Sequence, residues 1–318
     1  MTATGPVAIV PRAMREITSV YILGAGGLGA AYGSRIHLAQ PGLASFLAHG
    51  ARAERLRREG VKVNDQHFLL PVVEPAQAAQ PDLVLLTVKY HHIDEAVAML
   101  KPVVGPHTLV LSLLNGIDSE EILSGHFPAE QIIHGMSLGI DAVRSGKSIR
   151  CKSFGVIHFG RPRNNPPSDA VRAIQQLFTR CDIQWETPDD MLRALWWKFM
   201  INVGINQVSA VLNMTYHGFQ HNRYARSMMH AAMREVIAVA QARGIALSEE
   251  DINRFDEVIP RLAPDGKTSM LQDVEERRKT EVEMLAGKVI EIGRELNIDT
   301  PVNTVLFDLL RARETDYL

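Results

Sequence analysis

The order of hydrophobic segments predicts a doubly wound α/β half followed by an all-α half. Short, nearly all-aliphatic runs alternate with helical patterns through the first part of the chain, as in parallel sheets covered on both faces. The first of those runs ends in a glycine-rich turn that opens a helix. Beyond Pro188 only helical patterns remain, so the boundary is expected near Thr187 to Asp190.

From Ser19 the chain reads SVYILGAGGLGAAYGSRIHLA, a strand, a turn and an Ala-rich helix. Gly24, Gly26 and Gly29 form G-x-G-x-x-G in the context that gives the motif meaning. Gly24 is expected to make the tight turn, Gly26 to admit a pyrophosphate to the backbone, and Gly29 to let helix and strand pack. Free N–H groups at the helix start then face the anion. Gly24, Ala25, Gly26, Gly27, Leu28 and Gly29 are thus the expected dinucleotide loop of a Rossmann-type sheet. The leader before it, residues 1–16, carries Gly5, Pro6 and Pro11, lacks the apolar run of a signal peptide and reads as a loose extension.

The second strand, Leu43 to Leu47, bears on cofactor choice. An NAD site places a carboxylate at this strand end, whereas an NADP site places cations. The sequence continues Ala48, His49, Gly50, Ala51, Arg52 with no carboxylate at the strand end. NADP(H) is therefore the expected cofactor, with His49 and Arg52 as contacts to the 2′-phosphate.

Asp82 to Lys89 (DLVLLTVK) is the next aliphatic strand, with a helix from Ile93 to Leu100 after it. Thr108 to Gly116 (TLVLSLLNG) follows and ends in Asn115-Gly116. Ligands bind at the carboxyl ends of such strands, which is where Lys89 and Asn115 fall. Ile149 to Gly160 alternates as an antiparallel strand or hairpin, Ala170 to Thr179 as a helix, and Ile183 to Trp185 as a short strand. Five helices are expected to complete the chain: Asp190 to Leu212, Tyr224 to Arg243, Ser248 to Leu262, Ser269 to Leu296 and Val302 to Arg313.

In the first of these, Lys198, Asn202 and Asn206 fall four apart and share a stripe on a rod otherwise rich in Leu, Trp, Phe, Met, Ile and Val. A lysine is costly to bury unpaired. Either it snorkels past Trp196 and Trp197 to water, with the two amides as structural hydrogen-bonders, or it is a proton donor with amide orienters in a cleft. Farther on, Ser269-Met270-Leu271-Gln272 has the form of a capping box, and Glu281 returns to the stripe of Ser269 and Asp273. Ser269 reads as a helix cap that can also offer its hydroxyl to a ligand. Glu281 either pairs with a basic neighbour for stability or faces Lys198 across the cleft.

Composition narrows the partners. The chain has 318 residues, 46% of them hydrophobic, enough for two cores. A formal charge of −2 gives no reason to expect nucleic acid or an anionic membrane, and no run approaches the length needed to span a bilayer. A small molecule fits better. The two cysteines, Cys151 and Cys181, are too few and too far apart for a disulfide framework or a structural zinc site, which points to a reducing, cytoplasmic compartment without a bound metal. The last helices carry enough Leu, Val and Ile to pack internally or across a homodimer.

On the motifs GAGGLG, TVK (Thr87 to Lys89), Asn115-Gly116, LWWKFMINVGIN (Leu195 to Asn206) and SMLQDVEERRKTE (Ser269 to Glu281), the chain resembles the ketopantoate reductases from about Ser19 to Tyr317. The resemblance implies a cofactor domain over 17–188 and, over 189–318, a helical substrate domain like the C-terminal domain of 6-phosphogluconate dehydrogenase. It implies NADPH-dependent reduction of 2-dehydropantoate, with Lys198 protonating the keto oxygen and Glu281 positioning substrate and nicotinamide. Asn202 and Ser269 match substrate-binding positions, Asn206 a supporting amide, Asn115 and Lys89 cleft residues near cofactor and substrate, and Ala142 a backbone contact to the nicotinamide. There are departures: His49 stands where an arginine is common, and Gly266 and Tyr216 stand where asparagines can occur. Those changes leave open reduction of another 2-oxo acid, and a non-catalytic NADPH sensor is the alternative outside enzymes.

Overall fold

The computed structural model describes residues 16–145 and 148–318, so the leader expected to be loose lies outside the described residues apart from Glu16. Among the described residues the strands are β1 (Val20–Leu23), β2 (Ala44–Leu47), β3 (Val61–Val63), β4 (Gln66–Phe68), β5 (Val72–Val73), β6 (Leu83–Leu86), β7 (Leu109–Ser112), β8 (Ile132–Ser145), β9 (Ser148–Gly160) and β10 (Trp185–Glu186). They form one sheet in the order β4-β3-β9-β8-β7-β6-β1-β2-β5, with β10 paired to β9. From β5 through β8 all neighbours are parallel. The parallel strands are present but shorter than expected, Thr87 to Lys89 and Leu113 to Gly116 leaving the sheet as loops, and the short strand expected from Ile183 to Trp185 lies at Trp185–Glu186.

The sheet is mixed: beyond the parallel part it is finished by an antiparallel hairpin, as the alternation of Ile149 to Gly160 predicts. Val61–Val63, Gln66–Phe68, Val72–Val73 and Ile132–Ser145 are strands that sequence patterning does not single out. β8 and β9 form a long antiparallel hairpin with a bulge between Asp141 and Ala142. It joins β3 and β4 to the main sheet. The sheet thereby curls around the helix after the glycine turn, α1 (Gly27–Ala39), which touches β1, β2, β3, β8 and β9. The other helices of this half are α2 (Gly50–Glu59), α3 (Ile93–Leu100), α4 (Ser119–Ser124) and α5 (Asp169–Arg180). One apolar core lies between the curl, α1 and α5, and another under α3.

The second half contains α6 (Met191–Ile201), α7 (Gln207–Leu212), α8 (Tyr216–His221), α9 (Arg223–Ala242), α10 (Glu249–Asp256), α11 (Ser269–Glu275), α12 (Lys288–Leu296) and α13 (Pro301–Thr315) around a third core. Asp190 caps α6 by accepting from the Arg193 amide at 3.0 Å. Three expectations change. The rod from Asp190 to Leu212 is interrupted by a π-helical turn at Asn202–Asn206. The helix expected to run from Ser269 to Leu296 breaks after Glu275, with Arg277 at φ 52°, and resumes through a π turn at Glu283–Gly287. The charged run from Glu276 to Lys279 has little apolar surface to hold helix against the core. The helix expected from Ser248 to Leu262 stops at Asp256, ahead of a 3-10 turn at Ile259–Arg261.

Candidate active site

The glycine turn is built by contacts that exclude side chains. Gly24 has φ 114°, and a Cβ there would lie 2.7 Å from the Thr87 carbonyl carbon, while one on Gly29 would run into the Gly24 carbonyl. Thr87, in the loop after β6, pins the turn by donating its hydroxyl to the Gly24 carbonyl at 2.8 Å. A Cβ on Gly26 would meet no atom within 4 Å, so the face that a pyrophosphate would approach is open. The shape of the turn fits a dinucleotide. Ala142, at the hairpin bulge, turns its carbonyl toward Gly27, to within 3.0 Å of a Cβ built there.

A cavity of about 110 Å³ continues from Gly24 and Ala25 past the end of β2. His49 and Arg52 line it as expected, but so do His92 and Glu95 from the turn before α3 and its first turn. Glu95 is a carboxylate that reading β2 alone could not find. It lies 3.3 Å from His49 Nε2 and 3.5 Å from His92 Nδ1.

At the carboxyl ends of β6 and β7 the two halves meet. Lys198 Nζ donates to Asn115 Oδ1 at 3.0 Å, and Asn115 Nδ2 donates to Glu281 Oε2 at 3.1 Å. A cation on one side and an anion on the other fix which way the amide points. Lys198 and Glu281 are thus joined through Asn115. Glu281 is 9% exposed and also accepts from the Tyr90 backbone amide at 3.4 Å. Asn202 and Asn206, from the π turn, line one narrow pocket together with Asn115, Ser269, Asp273 and Glu281. π turns recur where a helix must present side chains to a site, and this one holds both asparagines against the pocket.

Ser269 is not the cap of α11. Thr268 takes that role, its hydroxyl accepting from the Leu271 amide at 3.2 Å, while Ser269 is exposed at the pocket. Trp196 is buried in the helical core, edge-on to Phe199.

The electrostatics separate the two lysines. Burial pushes the Lys198 ammonium down to about 8, with Glu281 and then Glu120 working in the opposite direction. Burial acts on Lys89 in the same sense, but Glu281 and Asp273 outweigh it and hold that ammonium above its ordinary value. Lys89 Nζ lies 2.8 Å from Asp273 and 3.9 Å from Glu281. Asp273 is 2% exposed and also binds Arg278 at 2.9 Å. Sequence analysis places Asp273 on the face of Ser269 without giving it a role. It misses Glu120, on α4, whose buried carboxyl is raised to about 7 by desolvation, partly offset by the Ser119 hydroxyl. Nothing in the sequence of α4 distinguishes Glu120 from its solvated neighbour Glu121.

An open glycine turn and a half-buried lysine of lowered pKa, held by an amide and, through it, a carboxylate, describe a dinucleotide-dependent oxidoreductase. Models of two parts of one family, described as "Ketopantoate reductase PanE/ApbA" and its C-terminal region, match residues 20–164 and 190–314. The chain belongs to the ketopantoate reductase family, oxidoreductases that bind NADP(H). It is 27% identical over 305 residues to a 2-dehydropantoate 2-reductase of Pyrococcus horikoshii, covering 93% of this chain and 97% of that protein. Among solved structures, the 2-dehydropantoate 2-reductase of Geobacter metallireducens aligns with a TM-score of 0.82 at 26% identity, covering 92% of this chain and 99% of the other. A D-mandelate dehydrogenase bound to NADH and anilino(oxo)acetate aligns with a TM-score of 0.86 at 21% identity, covering 94% and 99%.

Proposed function

We propose that the protein reduces 2-dehydropantoate to (R)-pantoate with NADPH, as a step toward pantothenate and coenzyme A. The observation that carries this is the Lys198–Asn115–Glu281 chain, set where a lysine of lowered pKa meets the amides of Asn202 and Asn206 and the hydroxyl of Ser269. Residues 17–188 are the cofactor domain and 189–318 the substrate and catalytic domain. Gly24 to Gly29, with His49, Arg52, Lys89, Asn115, Ala142 and Glu281, hold the cofactor, which when bound supplies a hydride to C2 of the oxo acid.

Lys198 binds the keto oxygen and gives it a proton as negative charge builds there, ending as a neutral amine. A lysine with the ordinary pKa of about 10.4 is a weak acid at neutral pH, so lowering to about 8 brings it toward the working range. Asn115 keeps the ammonium aimed, and Glu281 holds Asn115 from the other side. Asn202, Asn206 and Ser269 orient the acid in the pocket. Lys89 supplies positive charge beside it, its ammonium held by Asp273 and Glu281.

A second reading is a different 2-oxo acid, favoured by one observation: the Tyr216 ring lies 2.8 Å from where a side chain on Gly266 would begin, just ahead of Ser269. An aromatic wall there suits an acid with an apolar side chain. Monitoring NADPH oxidation with 2-dehydropantoate, phenylglyoxylate and a branched aliphatic 2-oxo acid tests both. Highest kcat/KM with 2-dehydropantoate supports the first reading, higher kcat/KM with another acid supports the second, and no oxidation with any of them contradicts both.

A further inference from the structure

The cavity at the end of β2 combines opposite charges in a way that bears on cofactor choice. Glu95 is straddled by two imidazoles, His49 Nε2 at 3.3 Å from one carboxylate oxygen and His92 Nδ1 at 3.5 Å from the other. His49 comes from the end of β2, Arg52 from α2, His92 from the turn after β6 and Glu95 from α3. The His91 ring lies 4.4 Å from that of His92. All three members of the triad are about half exposed, so the cluster has no role in the core.

We propose that Glu95 selects the cofactor: its carboxylate accepts the ribose 2′-hydroxyl of NADH and repels the 2′-phosphate of NADPH, which Arg52 and His49 on the same wall favour. This rests on the reading that a nicotinamide dinucleotide occupies the glycine turn. A carboxylate near the ribose is the group that recognises a 2′-hydroxyl, and cations recognise a 2′-phosphate. Glu95 and Arg52 bring one charge of each sign to this wall, so a dinucleotide with a 2′-hydroxyl finds a carboxylate to donate to, and one with a 2′-phosphate finds a guanidinium but also meets the Glu95 charge.

The protein therefore accepts both cofactors. The test is equilibrium titration of NADPH and of NADH, read by nicotinamide fluorescence with no substrate present, for the wild type and Glu95→Gln. Both dinucleotides should bind the wild type, and Glu95→Gln should raise the ratio Kd(NADH)/Kd(NADPH) about tenfold, through both weaker NADH and tighter NADPH, the change expected from removing one charge near the phosphate. A Glu95→Gln ratio within about twofold of the wild type would overturn the proposal. Glu95 is more than half exposed, so its substitution leaves folding intact. Failure of both dinucleotides to bind would instead overturn the cofactor reading beneath it.

Discussion

Lys198 is the residue on which the proposed chemistry turns, and it is visible because a lysine among Trp196, Trp197, Phe199 and Met200 is out of place on an apolar rod. The same contrast marks Asn202 and Asn206. Glu120 and Glu95 sit beside other acidic residues in runs that read as a wet face, and Asp273 shares the stripe of Ser269 without a role that sequence assigns; the fold buries Asp273 and Glu120 and sets Glu95 between His49 and His92. Lys198 must be protonated to act, so kcat/KM for reduction should fall as pH rises through about 8. Glu281 favours the ammonium, so Glu281→Gln should move that limb to lower pH; an unmoved limb would mean that another group sets it. Glu120 offers a test independent of activity. Its folded value, about 7 against an ordinary 4.5, means that stability is greatest below 4.5 and is lost as pH rises toward 7 and beyond. Glu120→Gln should therefore be more stable than the wild type by about 1–3 kcal/mol at pH 8, with the gain gone below pH 4.5. Equal urea midpoints at pH 8 would contradict the assignment.

At the scale of elements, helix identity was legible from periodicity, and helix continuity was not. The rod carrying Lys198 was expected as one regular helix, yet Asn202–Asn206 forms a π turn where Gly204 lets α9 come close. A Cβ on Gly204 would lie 2.7 Å from Met233 Cγ and 3.1 Å from Met229 Cγ. The Met233 Cε end, at 2.6 Å, could swing away, but the two Cγ atoms are inner atoms with less room to move. Gly204→Ala gains about 1 kcal/mol in helix propensity but meets an overpacking cost of about 1–3 kcal/mol, so the variant should be net less stable by thermal unfolding and show a disturbed Asn202–Asn206 pair as raised KM. Thr268, rather than Ser269, capping α11 is a one-residue difference with a functional result: the Ser269 hydroxyl remains exposed at the pocket. Propensity cannot separate adjacent Thr and Ser as caps.

For the whole molecule, the division into a sheet with helices and a helical remainder was readable because strand and helix periods differ. The curl of the sheet was not, since β3, β4 and β5 are two or three residues long and β8 has no continuous apolar run. The two halves are fastened beside the site by Lys89 of one and Asp273 of the other, with Arg278 on the second carboxylate oxygen. Asp273→Asn removes the buried carboxylate that Lys89 and Arg278 share, leaving Lys89 with Glu281 at 3.9 Å and Arg278 with Glu276, and should cost about 1–3 kcal/mol in urea unfolding. An unchanged midpoint would show that the pair merely neighbours the cleft. The central claim, that Lys198 protonates the oxygen of a 2-oxo acid reduced by NADPH, is tested most directly by Lys198→Ala in a stopped assay with 2-dehydropantoate alongside NADPH titration. The variant should lose about 10²- to 10⁴-fold in kcat and bind NADPH as the wild type does; turnover at the wild-type rate would contradict it.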